Sequence, residues 1–246
     1  MKTYRADLHI HTVLSPCGDL DMSPVNIIER AKEKQLDIIG IADHNSTKNC
    51  KVIRELGKQQ GLYVLCGAEV TTKEEVHCLA FFEKYKQLDQ FQCFIDKHLP
   101  FVQNKPGAFG YQAVVDENDQ ILEQIESLLI TGLDAGIEEV EEKVHELEGL
   151  FIPAHIDRPY NSLIGQLGLI PPDLNADAFE VFRTSNPKEL KNIYTILQDK
   201  TLLKNSDAHY LHDIGIAYSL FQIEKPGFAE IKDALKKQNN RNCRLP

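Results

Sequence analysis

No stretch of the 246-residue chain approaches the ~18 consecutive apolar residues of a membrane-crossing helix. The opening MKTYRADLHIH enters a strand pattern at once and carries no apolar leader core. Basic residues are short, 27 against 37 acidic, which leaves a formal net charge of −10. That balance disfavours a broad grip on a nucleic-acid backbone or an anionic membrane. A small anionic substrate stays admissible, because bound divalent cations would invert the sign locally. The six cysteines, at positions 17, 50, 66, 78, 93 and 243, contain no CxxC pair. Without a secretory leader they are expected to be reduced thiols, mostly buried, in a cytoplasmic protein. Tryptophan is absent as well, an absence that excludes nothing.

What is present is an alternation of strand and helix signals. YRADLHIH reads as a strand, with Asp7, His9 and His11 on one face because side chains alternate with period two. LDIIGIADH (36–44) is almost continuously apolar, as a parallel strand buried on both faces should be. Further strands are predicted at LYVLCGAEVTT (62–72), VHCLAFF (76–82), GLFIPAH (149–155), AFEVF (178–182), KTLLKNSDAH (200–209) and IAYSLFQIE (216–224). Helices are predicted over about 24–35, with Ser23 as cap and Pro24 in the first turn, and over about 46–60, with Ser46 or Thr47 as cap. Others are expected at about 84–98, 120–131, 136–147 and 227–238. The stretch 100–122, with two Pro and two Gly, reads as an irregular excursion or short hairpin over the site. The expectation is one α/β domain spanning 1–246, its largely parallel sheet open or closed into a barrel.

Metal-ligand residues recur at the ends of the apolar runs: His9, His11, Asp19, His44, Glu69, His77, His155, Asp207 and His209. Six of the nine histidines belong to this set. His-x-His on a strand holds two imidazoles roughly 6–7 Å apart at the α-carbons, close enough to chelate one cation. Each signal alone is weak: the histidine pair could be polar barrel residues, and Glu69 a solvated loop acid. Their repetition at strand ends points to one metal-binding mouth. Mixed imidazole and carboxylate donors suit Zn, Mn or Fe(II) rather than Ca or a thiolate zinc site.

In order along the chain, DLHIHT, IADHNS, GAEV, the His of EVHCLAFF, the His of PAHIDRP and NSDAH resemble the motifs of the PHP (polymerase and histidinol phosphatase) family. The resemblance implies a distorted (β/α)7 TIM-like barrel with up to three divalent ions, Zn, Mn or Fe, at the strand carboxyl ends. It assigns His9, His11, Glu69 and Asp207 to a first ion, Glu69, His77 and His155 to a second, and Asp19, His44 and His209 to a third. One position departs from the pattern. Many relatives read HTxxSDG, whereas here HTVLSPCGDLDMSP is longer. Counting back from the proline that opens the next helix selects Asp19; Asp21 is the runner-up, and Cys17 a further alternative because thiolates also bind zinc.

Hydrolysis of a phosphoester by a metal-bridging hydroxide is the activity the resemblance implies, on a small phosphorylated substrate or a short oligonucleotide. A cationic side chain would complete the clamp on phosphate. Arg158, three residues after His155, is the first candidate, against a surface salt bridge. Arg183 is the second, against pairing with an acid such as Glu180. Asp7 is expected behind the ligands, orienting an imidazole. His98, His145 and His212 read as solvated, as does the acidic run IEEVEEKVHELE. Two other functions compete: an amidohydrolase-type metal hydrolase, and a non-catalytic metal-loaded regulatory module.

Overall fold

The computed structural model describes all 246 residues. In chain order the elements are β1 (Lys2–Ile10), α1 (Pro24–Glu33), β2 (Ile38–His44), α2 (Cys50–Gln59), β3 (Tyr63–Thr71), β4 (His77–Phe82), α3 (Tyr85–His98) and α4 (Pro106–Phe109). A hairpin of β5 (Ala113–Val115) and β6 (Ile121–Gln124) follows, then α5 (Ile137–Glu146), β7 (Leu150–Pro153) and α6 (Leu163–Leu167). The chain ends with β8 (Phe179–Glu180), α7 (Pro187–Ile193), β9 (Leu202–Leu203), β10 (Ser219–Ile223), α8 (Phe228–Leu235) and β11 (Asn242–Arg244).

Seven strands form one sheet in the order β11-β10-β1-β2-β3-β4-β7. Strands β1, β2 and β3 run parallel, whereas β4 is antiparallel to both β3 and β7. Short segments carry the sheet round to its start. The Ile156 amide donates to the Glu180 carbonyl (2.9 Å), Val181 to Leu203 (2.9 Å), and His11 to Ala208 (3.0 Å). The result is the distorted TIM-like barrel of seven staves, β1, β2, β3, β4, β7, β8 and β9, with β10 and β11 as an antiparallel flange.

Alternation along the staves divides the core. Leu8, Leu65, Leu79, Phe81, Leu150 and Ile152 fill the barrel, and α8 adds Phe228 and Ile231 to the same cluster. The opposite faces, with Ile39, Ile41, Val70 and Phe82, pack under the helices. The alternation breaks once, in β1. Asp7 pairs with Ile39 and Ile10 with Ile41, so Leu8 and His9 together oppose the single residue Gly40. A β-bulge of this kind re-aims the side chains after it. Gly40 permits it, since a Cβ there would meet the Leu8 backbone.

Several expectations need correction. The predicted helix at 120–131 is absent. Asp116 caps a tight turn by accepting from the amides of Asn118 and Gln120 (2.8 and 2.9 Å), and Asp119 takes φ 60, so ILEQ turns back as β6 against β5. The hairpin does not roof the site. It packs beside the turn after β1, where the Ala113 amide donates to Val13 O (3.1 Å) and Asn49 Nδ2 to Ala113 O (3.1 Å). Helix α2 begins after Asn49 rather than at Ser46 or Thr47. Ser23 does cap α1, accepting from the Asn26 amide at 3.4 Å. Four of the six cysteines are buried, and all six are free. No helix is long and apolar enough to cross a membrane.

Candidate metal centre

One mouth of the barrel gathers the ligand-type residues. His44 ends β2 and Glu69 lies near the end of β3, both facing inward with Leu65 and Ala42. His77 was expected at a carboxyl end but begins β4. Because β4 runs antiparallel, its amino end opens on the same mouth. The bulge turns His9 inward, and His11 follows two residues later. His155 and Asp207 hold φ of 28° and 53° just past their strands, strained backbone of the sort that persists where surroundings over-determine it.

Glu69, 1% exposed, is the centre of the cluster. Its Oε1 lies 2.9 Å from His77 Nδ1, 3.1 Å from His155 Nε2 and 3.3 Å from His9 Nε2. Its Oε2 lies 3.0 Å from His44 Nδ1 and 3.4 Å from His11 Nε2. Asp207 Oδ1 stands 3.5 Å from His9 Nε2 and 3.4 Å from His11 Nε2. His11 and His209 stack with ring centroids 4.1 Å apart.

A carboxylate and a hydroxyl behind this layer set two tautomers. His9 Nδ1 donates to Glu180, 3.0 Å from Oε2 and 3.2 Å from Oε1, which leaves the Nε2 lone pair aimed at Glu69 and Asp207. Ser15 Oγ donates to Asp43 (2.7 Å) and accepts from the His44 amide (3.1 Å), so it meets His11 Nδ1 (2.9 Å) as an acceptor. His11 Nε2 is thereby free as well.

Burial opposes charge throughout, yet the acids Glu180, Glu69 and Asp207 draw the His9 pKa well above the ordinary imidazole value. His11, buried and facing His209 and His44, is pushed well below it. Glu69 would be raised by burial, but His77, His9 and His44 hold it well below the carboxylate range. Three buried atoms of the ligand cluster have no hydrogen-bond partner: His44 Nδ1, Glu69 Oε2 and His155 Nδ1. The first two lie 3.0 Å apart without the alignment of a hydrogen bond. Unpartnered lone pairs of imidazole and carboxylate fit a divalent cation, and Zn, Mn and Fe(II) accept this donor set. Three ligand groups are tight enough for an ion, with atoms within 4.8 Å of one another: His9, His11 and Glu69; His44, Glu69 and His77; and His11, His44 and His209.

Asp19 stands apart from these groups. Its amide donates to His209 O (2.8 Å), but its carboxylate accepts from the Asp21 amide (2.9 Å) and lines no part of the cavity. Asp21 is exposed. Cys17 is the residue of this turn that lines the cavity, which His44 and His209 also line. Asp7 does not orient an imidazole. The bulge leaves it on the outer face, where it accepts from the amides of Ser206 and Gly215 (2.9 Å each), and burial lifts its pKa to about 6. Arg158 Nη1 pairs with Asp207 Oδ2 at 2.8 Å, and Arg183 Nη1 donates to Ser206 O at 3.1 Å rather than meeting Glu180. Both guanidiniums lie near the Phe182 ring and line the cavity, whose volume is about 590 Å³. Ile130, Gly132 and Tyr210 line it too, but no residue of 100–122 does. His98 and His145 are half-buried rather than solvated: Nδ1 of His98 lies 2.8 Å from Phe94 O, and Nε2 of His145 lies 3.3 Å from Asp177.

Sequence reading missed Glu180 as the support of His9. Its signal was an acid inside the apolar strand AFEVF. Asn205 and the His155 amide complete its shell, donating at 2.8 and 3.0 Å.

Residues 7–167 match the family model of the PHP domain, and the chain belongs to that family. It is 27% identical, over an alignment 277 positions long, to the uncharacterized protein YqxK of Bacillus subtilis, a match covering 98% of this chain and 64% of that one. Among solved structures it is similar to the lesion-specific endonuclease PfuEndoQ from Pyrococcus furiosus, with TM-score 0.74, 23% identity, and coverage of 98% of this chain and 58% of that chain. It also resembles Endonuclease Q in complex with a 27-mer duplex carrying an abasic lesion, with TM-score 0.69, 21% identity and the same coverage. The chain thus spans about three-fifths of the length of these relatives.

Proposed function

We propose that this chain is a metal-dependent phosphoesterase that uses up to three divalent ions, Zn, Mn or Fe. The observation that carries the reading is Glu69, one buried carboxylate within 3.4 Å of five imidazoles, in a cluster where Glu69 Oε2, His44 Nδ1 and His155 Nδ1 lack hydrogen-bond partners. His9, His11, Glu69 and Asp207 would hold one ion. Glu69 would be shared with a second ion on His77 and His155, and His44 and His209 would hold a third together with a side chain of the turn after β1, where the family pattern points to Asp19. When bound, such ions lower the pKa of water towards neutrality and compensate charge on phosphoryl oxygens.

The chain's own groups do the rest. Glu180 and Ser15 hold His9 and His11 in ligating tautomers. Arg183, which has no acidic partner within ion-pair distance, offers its guanidinium to a substrate phosphate, and Arg158 is shared between Asp207 and the cavity. A cavity of about 590 Å³ accommodates a small phosphorylated molecule. Hydrolysis of a phosphodiester in a short oligonucleotide is the second reading, favoured by the fold shared with endonuclease Q. The net charge of −10 disfavours long contacts with a nucleic-acid backbone.

Metal-reconstituted protein assayed against a panel of phosphorylated metabolites and short oligonucleotides tests both. Release of inorganic phosphate supports the first and strand cleavage the second. Folded, metal-loaded protein inert on the whole panel would refute them together.

A further inference from the structure

We infer that Cys17 supplies a thiolate to the third ion of this centre, in the role that Asp19 was expected to fill. The inference rests on the proposed metal centre and concerns a residue at which this chain departs from the HTxxSDG pattern.

The turn after β1 decides which side chain reaches the ion. Asp43 grips it from β2, accepting from the Thr12 amide (2.7 Å), Thr12 Oγ1 (2.8 Å) and Ser15 Oγ (2.7 Å). Backbone bonds from Ser15 N to Thr12 O (3.1 Å) and from Gly18 N to Ser15 O (2.8 Å) tighten it. Gly18 has no room for a side chain, since a Cβ there would meet Thr12 O at 2.6 Å. In this held turn, the exposed Cys17 is the residue that lines the cavity shared with His44 and His209. Asp19, two residues on, spends its carboxylate on the Asp21 amide and lies outside the cavity lining.

A second observation points to a ligand at this spot. His44 is only 5% exposed, it lines the same cavity, and its Nδ1, which faces Glu69 Oε2 at 3.0 Å, has no hydrogen-bond partner. His11, His44 and His209 already place ligand atoms within 4.8 Å of one another. His209 Nδ1 lies 3.0 Å from the Asp207 carbonyl, which makes it a donor and leaves Nε2 as the ligating lone pair. The two imidazoles of His44 and His209 and one thiolate make a three-ligand set of the kind that holds zinc with a fourth position open. Replacing a carboxylate by a thiolate also softens the site, which favours zinc over manganese.

Cobalt(II) titration reads the assignment directly, because thiolate ligation gives an intense charge-transfer band in the near ultraviolet whether or not the protein turns over substrate. The full chain, loaded to saturation, should show this band. Cys17→Ser and Cys17→Asp should lose it while keeping their fold by circular dichroism, and Cys17→Ser should also lose one bound equivalent of zinc. Asp19→Asn should keep both the band and the equivalent. A saturated wild-type protein without the band overturns the inference. So does a Cys17→Ser protein that keeps the band, or loss of an equivalent in Asp19→Asn but not in Cys17→Ser. Hydrolysis without the band sinks the thiolate alone, whereas the band without hydrolysis on any phosphoester sinks only the proposed activity.

Discussion

Substituting Glu180 by glutamine tests whether the groups behind the ligands tune the metal centre. The carboxylate is 2% exposed and fully engaged. Its Oε1 accepts from His9 Nδ1 (3.2 Å) and Asn205 Nδ2 (2.8 Å), and its Oε2 from His9 Nδ1 (3.0 Å) and the His155 amide (3.0 Å). Every neighbour is a donor, so either orientation of a glutamine amide turns its NH2 towards one of them. His9 also loses the anion that holds its Nδ1 proton and strengthens its Nε2 lone pair. Loss of such a partner costs roughly 10–100-fold in metal affinity, or about 1.4–2.8 kcal/mol. The donor left unpaired costs the folded protein a further ~1–3 kcal/mol. Chelator competition on wild type and Glu180→Gln gives the affinity for zinc, and urea unfolding of both metal-free proteins gives the stability. The expected result is a fall in both, with Glu180→Asp retaining part of the affinity because the charge survives. Unchanged zinc affinity in a folded Glu180→Gln protein would refute the reasoning, and lost stability alone would leave Glu180 a core carboxylate with no hold on the metal.

Zinc uptake should release protons and weaken as pH falls. Glu69 and Asp207 stay ionised well below the usual range, while His9, His44 and His209, raised above the ordinary imidazole value, hold protons that a cation must displace; calorimetry in buffers of different ionisation enthalpy counts them. Arg183→Ala should slow phosphoester hydrolysis by roughly one to two decades in kcat/KM, from a lost charge-assisted hydrogen bond, with metal content unchanged in elemental analysis. Arg158→Ala should slow it too, and Arg158→Lys should restore only part, because lysine lacks the fork that reaches both Asp207 and a phosphate oxygen. Gly67→Ala should destabilise the barrel by about 3 kcal/mol or more in denaturant melts, since its Cβ would press on the Ala80 carbonyl between paired β3 and β4.

Much of the barrel and its mouth was legible in the residues. Almost continuous apolar runs such as DIIGIADH read as strands buried on two faces, which puts a histidine or acid at the end of such a run at the rim of the sheet. Those patterns are local, because side-chain alternation and helix capping depend on neighbours a few residues away. They located β1, β2, β3, β4 and β7 and the residues His9, His11, His44, Glu69, His77 and His155 that now face one another. The helix expected at 120–131 failed because a turn, set by Asp116 and a positive-φ Asp119, overrode an apolar pattern too short to choose between helix and strand.

The tertiary structure decided the remainder. Strand direction depends on pairing between distant segments, so only the closed barrel could reveal that β4 runs backwards and offers His77 from its amino end. The bulge opposite Gly40 arises from the register between β1 and β2, and it moved Asp7 to the outer face while turning His9 inward. Glu180 reaches His9 across 171 positions of chain, and Arg158 reaches Asp207 across 49. Cys17 and Asp19 are two residues apart and chemically plausible alike. Asp43, from another strand, holds the turn in which Cys17 lines the cavity and Asp19 does not. Contacts at such separations become definite only when the staves close, because the energy that fixes them comes from burial and hydrogen bonds that no single segment can form alone.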